Sequence, residues 1–133
     1  MKNVLVTIGI TIVLVTICTS MSFAETSVIN SYSGGGFQIG IYANGSTIVG
    51  NVQVSLTFGD EAVIAMQLQR QEKNGAWIVI ASDSFNTQKT IDAKTITATG
   101  STGNYRLYVR GTFYDALGNN VGTNARYAYS LSN

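Results

Sequence analysis

Few side chains in this sequence can do acid–base or nucleophilic chemistry. The 133-residue chain has no histidine and one cysteine, Cys18, and its seven acidic residues include Asp60, Glu61, Glu72, Asp83, Asp92 and Asp115. Cys18 lies in an N-terminal stretch expected to be removed, so triads built on His or Cys are excluded from the exported chain. Zinc would have only carboxylates to choose from. A carboxylate pair can hydrolyse a glycoside, but most of these acids fall in turn sequences or at the ends of strand patterns, where they serve backbone geometry and solubility. Asp60-Glu61, or Asp115 with Asn119 and Asn120, offers oxygens to calcium, yet neither has the ligand density of a known calcium loop. Ser33-Gly34-Gly35-Gly36 would cradle a phosphate only ahead of a helix with a suitable Lys. A strand pattern follows, so the glycines read as a flexible linker. The sequence therefore predicts a non-enzymatic chain with no metal and no cofactor. Recognition by a surface remains, and Tyr and Arg are the residue types for it.

The Tyr and Arg residues concentrate in Asn104 to Asp115, which alternates with period two. Tyr105, Leu107, Val109, Gly111 and Phe113 fall on one side, and Arg106, Tyr108, Arg110, Thr112 and Tyr114 on the other. That is a strand with one face on a core and one toward water, and it reads as the central strand of a sandwich. Phe37 to Tyr42 forms another strand, followed by an Asn44-Gly45 turn. In a third, Val52, Val54, Leu56 and Phe58 point one way. Ala62 to Glu72 carries Ile64, Met66 and Leu68 on its core face. Asn74-Gly75 then predicts a two-residue hairpin loop. That register pairs Glu72 with Trp77, Arg70 with Val79 and Leu68 with Ala81, turning Trp77 and Val79 inward and Ile78 and Ile80 outward. Phe85 reaches the core, and Ile96-Thr97-Ala98 crosses to the other sheet. Asp115-Ala116-Leu117-Gly118-Asn119 suits a type I turn closed by a left-handed glycine. Its register pairs Phe113 with Val121, Val109 with Ala125, Leu107 with Tyr127 and Tyr105 with Tyr129, and sets Tyr108 opposite Arg126 and Tyr114 opposite Asn120. No helical periodicity appears after the leader. Seven to eight short strands with regular turn signals predict an all-β, antiparallel sandwich.

The leader is itself legible. Lys2, the apolar run Val4 to Ile17 and Ser22-Phe23-Ala24 fit a signal peptide over 1–24, cut before Glu25. The run is short for a membrane span and no charged stop follows it. Ile17 is too bulky for lipid attachment at Cys18. The remaining domain, 25–133, is long enough for one core. Losing Lys2 leaves seven of the eight basic residues against seven acidic ones. A neutral balance argues against nucleic acid and anionic membranes as partners. Without cysteine the domain has no disulfide framework.

Gly103-Asn104-Tyr105-Arg106-Leu107 resembles strand F of immunoglobulin and fibronectin type III domains. The resemblance implies a Tyr105 hydroxyl bonded back to the chain. Leu107 stands where antibody domains have a Cys, and Trp77 follows the hairpin instead of lying inside the preceding strand. The stretch from about Val52 to Ser130 is also similar to small exported Gram-positive bacterial proteins of unknown function. The shared features are a signal peptide, a strand like Gln67-Leu68-Gln69-Arg70, Asn74-Gly75-x-Trp77, and Tyr105-Arg106 opening an alternating strand. The resemblance implies an immunoglobulin-like sandwich and carries no catalytic residues.

If Ala62–Glu72, Trp77–Ser82, Asn104–Tyr114 and Asn124–Leu131 share one sheet, its outer face shows Tyr108, Tyr114, Arg106, Arg110, Arg126, Ile78 and Ile80, beside Gln67 and Gln69. The reading is a secreted binding module for an extracellular or cell-surface protein or glycan. Two alternatives stand behind it: a self-assembling matrix component with a free edge strand, and, more remotely, a carboxylate hydrolase.

Overall fold

The computed structural model describes residues 21–23, 27–28 and 35–130. Residues 1–20 and the expected cleavage point before Glu25 lie outside the described residues. The described residues form nine strands in order: β1 (Met21–Phe23), β2 (Ser27–Val28), β3 (Gly35–Asn44), β4 (Thr47–Leu56), β5 (Glu61–Gln71), β6 (Trp77–Thr87), β7 (Ile91–Thr99), β8 (Tyr105–Tyr114) and β9 (Asn120–Tyr129). Among the described residues there is no helix. One sheet runs β1-β3-β4-β7, with β2 beside β1 on the same edge of β3; the other runs β6-β5-β8-β9. All pairings are antiparallel. β1 falls within the span expected to be a leader, and it pairs with Tyr42 to Asn44 of β3.

The core lies between the two sheets, where alternation predicts it. Val52, Val54 and Leu56 of β4, Ile64, Met66 and Leu68 of β5, and Tyr105, Leu107, Val109 and Phe113 of β8 are all buried. Phe37, Ile39 and Ile41 of β3 meet them from the opposite sheet, and the Phe37 and Phe113 rings stack at 6.2 Å. Gly111 makes room for that stack, because a Cβ there would stand 2.8 Å from the Phe37 ring. Phe85 packs against the core and Ile96 is buried in it. Phe58 is not part of it: β4 ends at Leu56, and Phe58 lies in the following turn, 90% exposed.

The glycine linker is a second correction. Gly35 and Gly36 are strand residues, paired with Leu56 and Ser55. Gly35 has φ +143°, and a Cβ there would collide with the Ser55 carbonyl oxygen, so the position requires glycine. Gly45 has φ +60° and opens a two-residue loop closed by Asn44 and Thr47, which suits a type II′ turn.

Both hairpins of the four-stranded sheet depart from the expected register by one residue, the first through its loop and the second through a bulge. The β5–β6 loop holds three residues, with Glu72 and Ala76 closing it and Gly75 at φ +86°. This sets Trp77 against Gln71, Ile78 against Arg70 and Val79 against Gln69. A bulge at Ile80 then restores the expected pairing of Leu68 with Ala81. The β8–β9 loop is the type I turn with a left-handed glycine that the sequence predicts, Gly118 at φ +82°. Tyr114 pairs with Asn120 as expected, but a bulge at Val121 follows. Beyond it Val109 pairs with Arg126, Tyr108 with Tyr127, Leu107 with Ala128 and Arg106 with Tyr129. Ile80 and Val121, the two inserted residues, both tuck against the core.

Candidate binding face

β8 supplies the spine of the outer face. Its even-numbered residues Arg106, Tyr108, Arg110, Thr112 and Tyr114 point away from the core because their odd-numbered neighbours fill it. The β9 bulge brings Tyr127 and Tyr129 onto this same side, opposite Tyr108 and Arg106, and the three-residue loop brings Trp77 there from β6. Of the seven residues expected on the face, four stand on it: Arg106, Tyr108, Arg110 and Tyr114. Ile80 is taken into the core by its bulge. Ile78 shares the side of Arg70, and Arg126 the side of Val109, so both face the other way. Trp77, Tyr127 and Tyr129 replace them.

The central feature is Arg106. Its guanidinium carbon lies 4.2 Å from the centre of the Trp77 ring and 4.4 Å from that of Tyr127. Such contacts attract the cation to the ring faces. Its Nε donates to Gln69 Oε1 at 2.7 Å, and Gln69 Nε2 donates to Gln67 Oε1 at 2.9 Å. Asn104 Nδ2 donates to Gln71 Oε1 at 3.0 Å on the next rung. The rings also touch one another: Trp77 meets Tyr129 edge-on at 6.1 Å, Tyr129 stacks on Tyr127 at 6.2 Å, and Tyr127 tilts against Tyr108 at 5.0 Å. Gln69 points outward yet is only 9% exposed, because this cluster covers it. Tyr127 and Tyr129 remain 40% and 44% exposed. The result is a small ordered layer on the sheet, fixed underneath by amides and open on top.

Arg110 stands four residues further along β8, roughly 14 Å at about 3.4 Å per residue. Its side chain is exposed and forms no hydrogen bond or ion pair among the described residues. Tyr114 lies at the far end, opposite Glu61 and Asn120. Glu61 is the one acidic residue that these strands place on the outer side.

Four of the other carboxylates are engaged elsewhere. A hydrogen bond from Lys94 lowers the Asp83 pKa, and the Thr87 hydroxyl does the same for Asp92. Asp115 is lowered by the backbone and side-chain amides of Asn119 and by the Leu117 amide. Glu72 pairs with Arg70 at 3.2 Å. Among the described residues no three His, Cys, Asp or Glu side chains lie close enough to hold a metal ion.

No protein-family model and no curated protein sequence matches the chain. Among solved structures, it is similar to the Northeast Structural Genomics Consortium target SoR45, with a TM-score of 0.46 and 10% identity over 86% of this chain and 88% of that one. It is also similar to Spo0M, a sporulation control protein of Bacillus subtilis, with a TM-score of 0.32 and 15% identity over 81% of this chain and 48% of that one. Likenesses at this level carry nothing about ligand or activity.

Proposed function

We propose that the chain is a secreted, non-enzymatic binding module with an immunoglobulin-like sandwich, of the kind that small exported Gram-positive proteins resemble. One observation carries the binding reading. Four aromatic rings and an arginine are fixed together on the solvent side of a sheet whose core is complete without them. Exposed aromatics scattered singly are ordinary. A pre-ordered cluster of Trp, Tyr and Arg is the composition of a binding hot spot and loses little side-chain freedom on binding. The immunoglobulin-like reading draws on the strand order β3-β4-β7 against β6-β5-β8-β9, and on the Tyr105 hydroxyl, which donates to the Ser101 carbonyl at 2.6 Å.

The test uses the face and its reverse. Immobilised chain is exposed to culture supernatant and to cell-wall material, alongside a Tyr108→Ala/Tyr127→Ala variant and an Arg126→Ala variant. Retention should be lost in the first variant and kept in the second, with melting temperatures close to the parent. Equal retention by all three would assign the face to ordinary surface.

A structural role is favoured by a different observation. β9 is ten residues long and, among the described residues, pairs with a strand along one side only, that of β8. On that reading sedimentation would show mass growing with concentration. A binding module stays monomeric or stops at a small closed oligomer.

A further inference from the structure

We propose that the outer face takes a polysaccharide bearing carboxylate groups; this rests on the binding reading above and names its partner. Charge gives the sign. The face carries Arg106 and Arg110, and the one acid on it, Glu61, lies at the far end beside Tyr114. A chain with near-equal numbers of acids and bases thus gathers positive charge around its aromatic cluster.

The geometry of Arg106 gives the chemical group. Trp77 and Tyr127 both hold its guanidinium by their rings, at 4.2 and 4.4 Å, and Gln69 takes its Nε. Its terminal nitrogens form no hydrogen bond among the described residues. A planar fork fixed by two rings and an amide with its end open is arranged for two parallel bonds to a carboxylate. Arg110 offers a second, unpaired guanidinium roughly 14 Å along the strand, with Tyr108 between the two. A polymer that repeats an anionic group can occupy both.

The surface also favours sugar over peptide. β5 and β8, which carry Gln69, Arg106 and Tyr108, pair on both sides, so the middle of the face offers no backbone donors or acceptors to an added strand. Peptides that bind sheets do so at edges. What this face presents is side chains alone: rings, amides fixed in a ladder, and hydroxyls such as the Thr112–Thr123 pair. Those groups suit the hydroxyls and C–H faces of a saccharide.

Trp77 is the single tryptophan of the chain and touches Arg106, so its emission reports directly on the site. The purified chain is titrated at low salt with sodium polygalacturonate, neutral dextran and poly-glutamate. Polygalacturonate should shift Trp77 emission saturably, and dextran should not. Arg110→Gln, which leaves the Trp77–Arg106 contact in place, should weaken the response about tenfold, the scale of one lost hot-spot contact. The apparent affinity should also fall as salt rises. Three results overturn the proposal: no response to polygalacturonate, an equal response to dextran, or tighter binding of poly-glutamate than of polygalacturonate. If polygalacturonate fails while the Tyr108→Ala/Tyr127→Ala variant still loses retained material, the face binds something else and only the partner is wrong. If that loss is absent too, the binding reading fails with it.

Discussion

Tyr105 is buried at 2% exposure with its hydroxyl bonded to Ser101, and it also anchors the end of the sheet through its backbone. Its amide donates to the Ser130 hydroxyl at 3.0 Å, and its carbonyl accepts from the Ser130 amide at 2.8 Å. Gly100 leaves space for the ring, since a Cβ there would overlap the phenol. Tyr105→Phe removes one buried bond and should cost about 0.5–1.5 kcal/mol in urea unfolding. Leu107→Ala opens a cavity in the middle of the core and should cost more, about 2–5 kcal/mol. If Tyr108→Ala proved costlier than Leu107→Ala, the two faces of β8 would be the reverse of those described. These positions were legible from residue types alone, because strict alternation over ten residues leaves one way to place five apolar side chains. The partners of Arg106 were not legible. Nothing in the string of letters says that Trp77 and Tyr127, fifty residues apart, lean over the same guanidinium.

At the scale of the element, the two hairpins share one device: a three-residue loop closed by a left-handed glycine, and a bulge in the strand that follows. Gly118→Ala forces an L residue to φ +82° and should cost roughly 1–2 kcal/mol of stability. Asp115 opens that loop and accepts from the Leu117 and Asn119 amides at 2.9 Å. These bonds depress its pKa in the folded chain. Its contribution is therefore present above the unfolded value and is lost as pH falls through the folded one. An NMR titration should show the Asp115 carboxylate protonating below the ordinary aspartate range, with the Leu117 and Asn119 amide shifts moving in step. A normal Asp115 midpoint would mean that the loop bonds do not form in solution. The turns themselves were readable, since Asp and Gly at fixed spacing have a physical reason to be there. The bulges were not: Ile80 and Val121 are ordinary strand residues, and only packing shows that both are drawn to the core. The expected faces therefore hold on the strands without bulges, and fail on β6 between its loop and Ile80 and on β9 beyond Val121.

At the scale of the molecule, the two sheets approach closely where glycine faces the core. A Cβ on Gly50 would meet the ends of Leu107, Leu68 and Ile96 at 2.8–3.2 Å, and one on Gly111 would meet the rigid Phe37 ring at 2.8 Å. Aliphatic ends can turn aside, whereas a ring stacked on Phe113 cannot. Gly111→Ala should therefore destabilise more than Gly50→Ala, with Gly111→Ala costing about 1–3 kcal/mol by thermal or chemical unfolding. The reverse order would show that the Phe37 ring has room to move. The sandwich class was legible because it follows from alternation and turn spacing summed over the chain, where single errors of register cancel. What the molecule displays is more delicately set than what it buries. With the turn and bulge held, one residue added between Gly122 and Tyr127 would slide Ala128 out and drive Tyr127 and Tyr129 toward the interior. Shortening the Lys73–Gly75 loop by one residue would do the same to Trp77. The outer surface is thus governed by the length of the gene between two turns as much as by its codons. One codon gained in β9, or lost from the β5–β6 loop, changes the face's whole vocabulary in a single step, where point substitutions would need several.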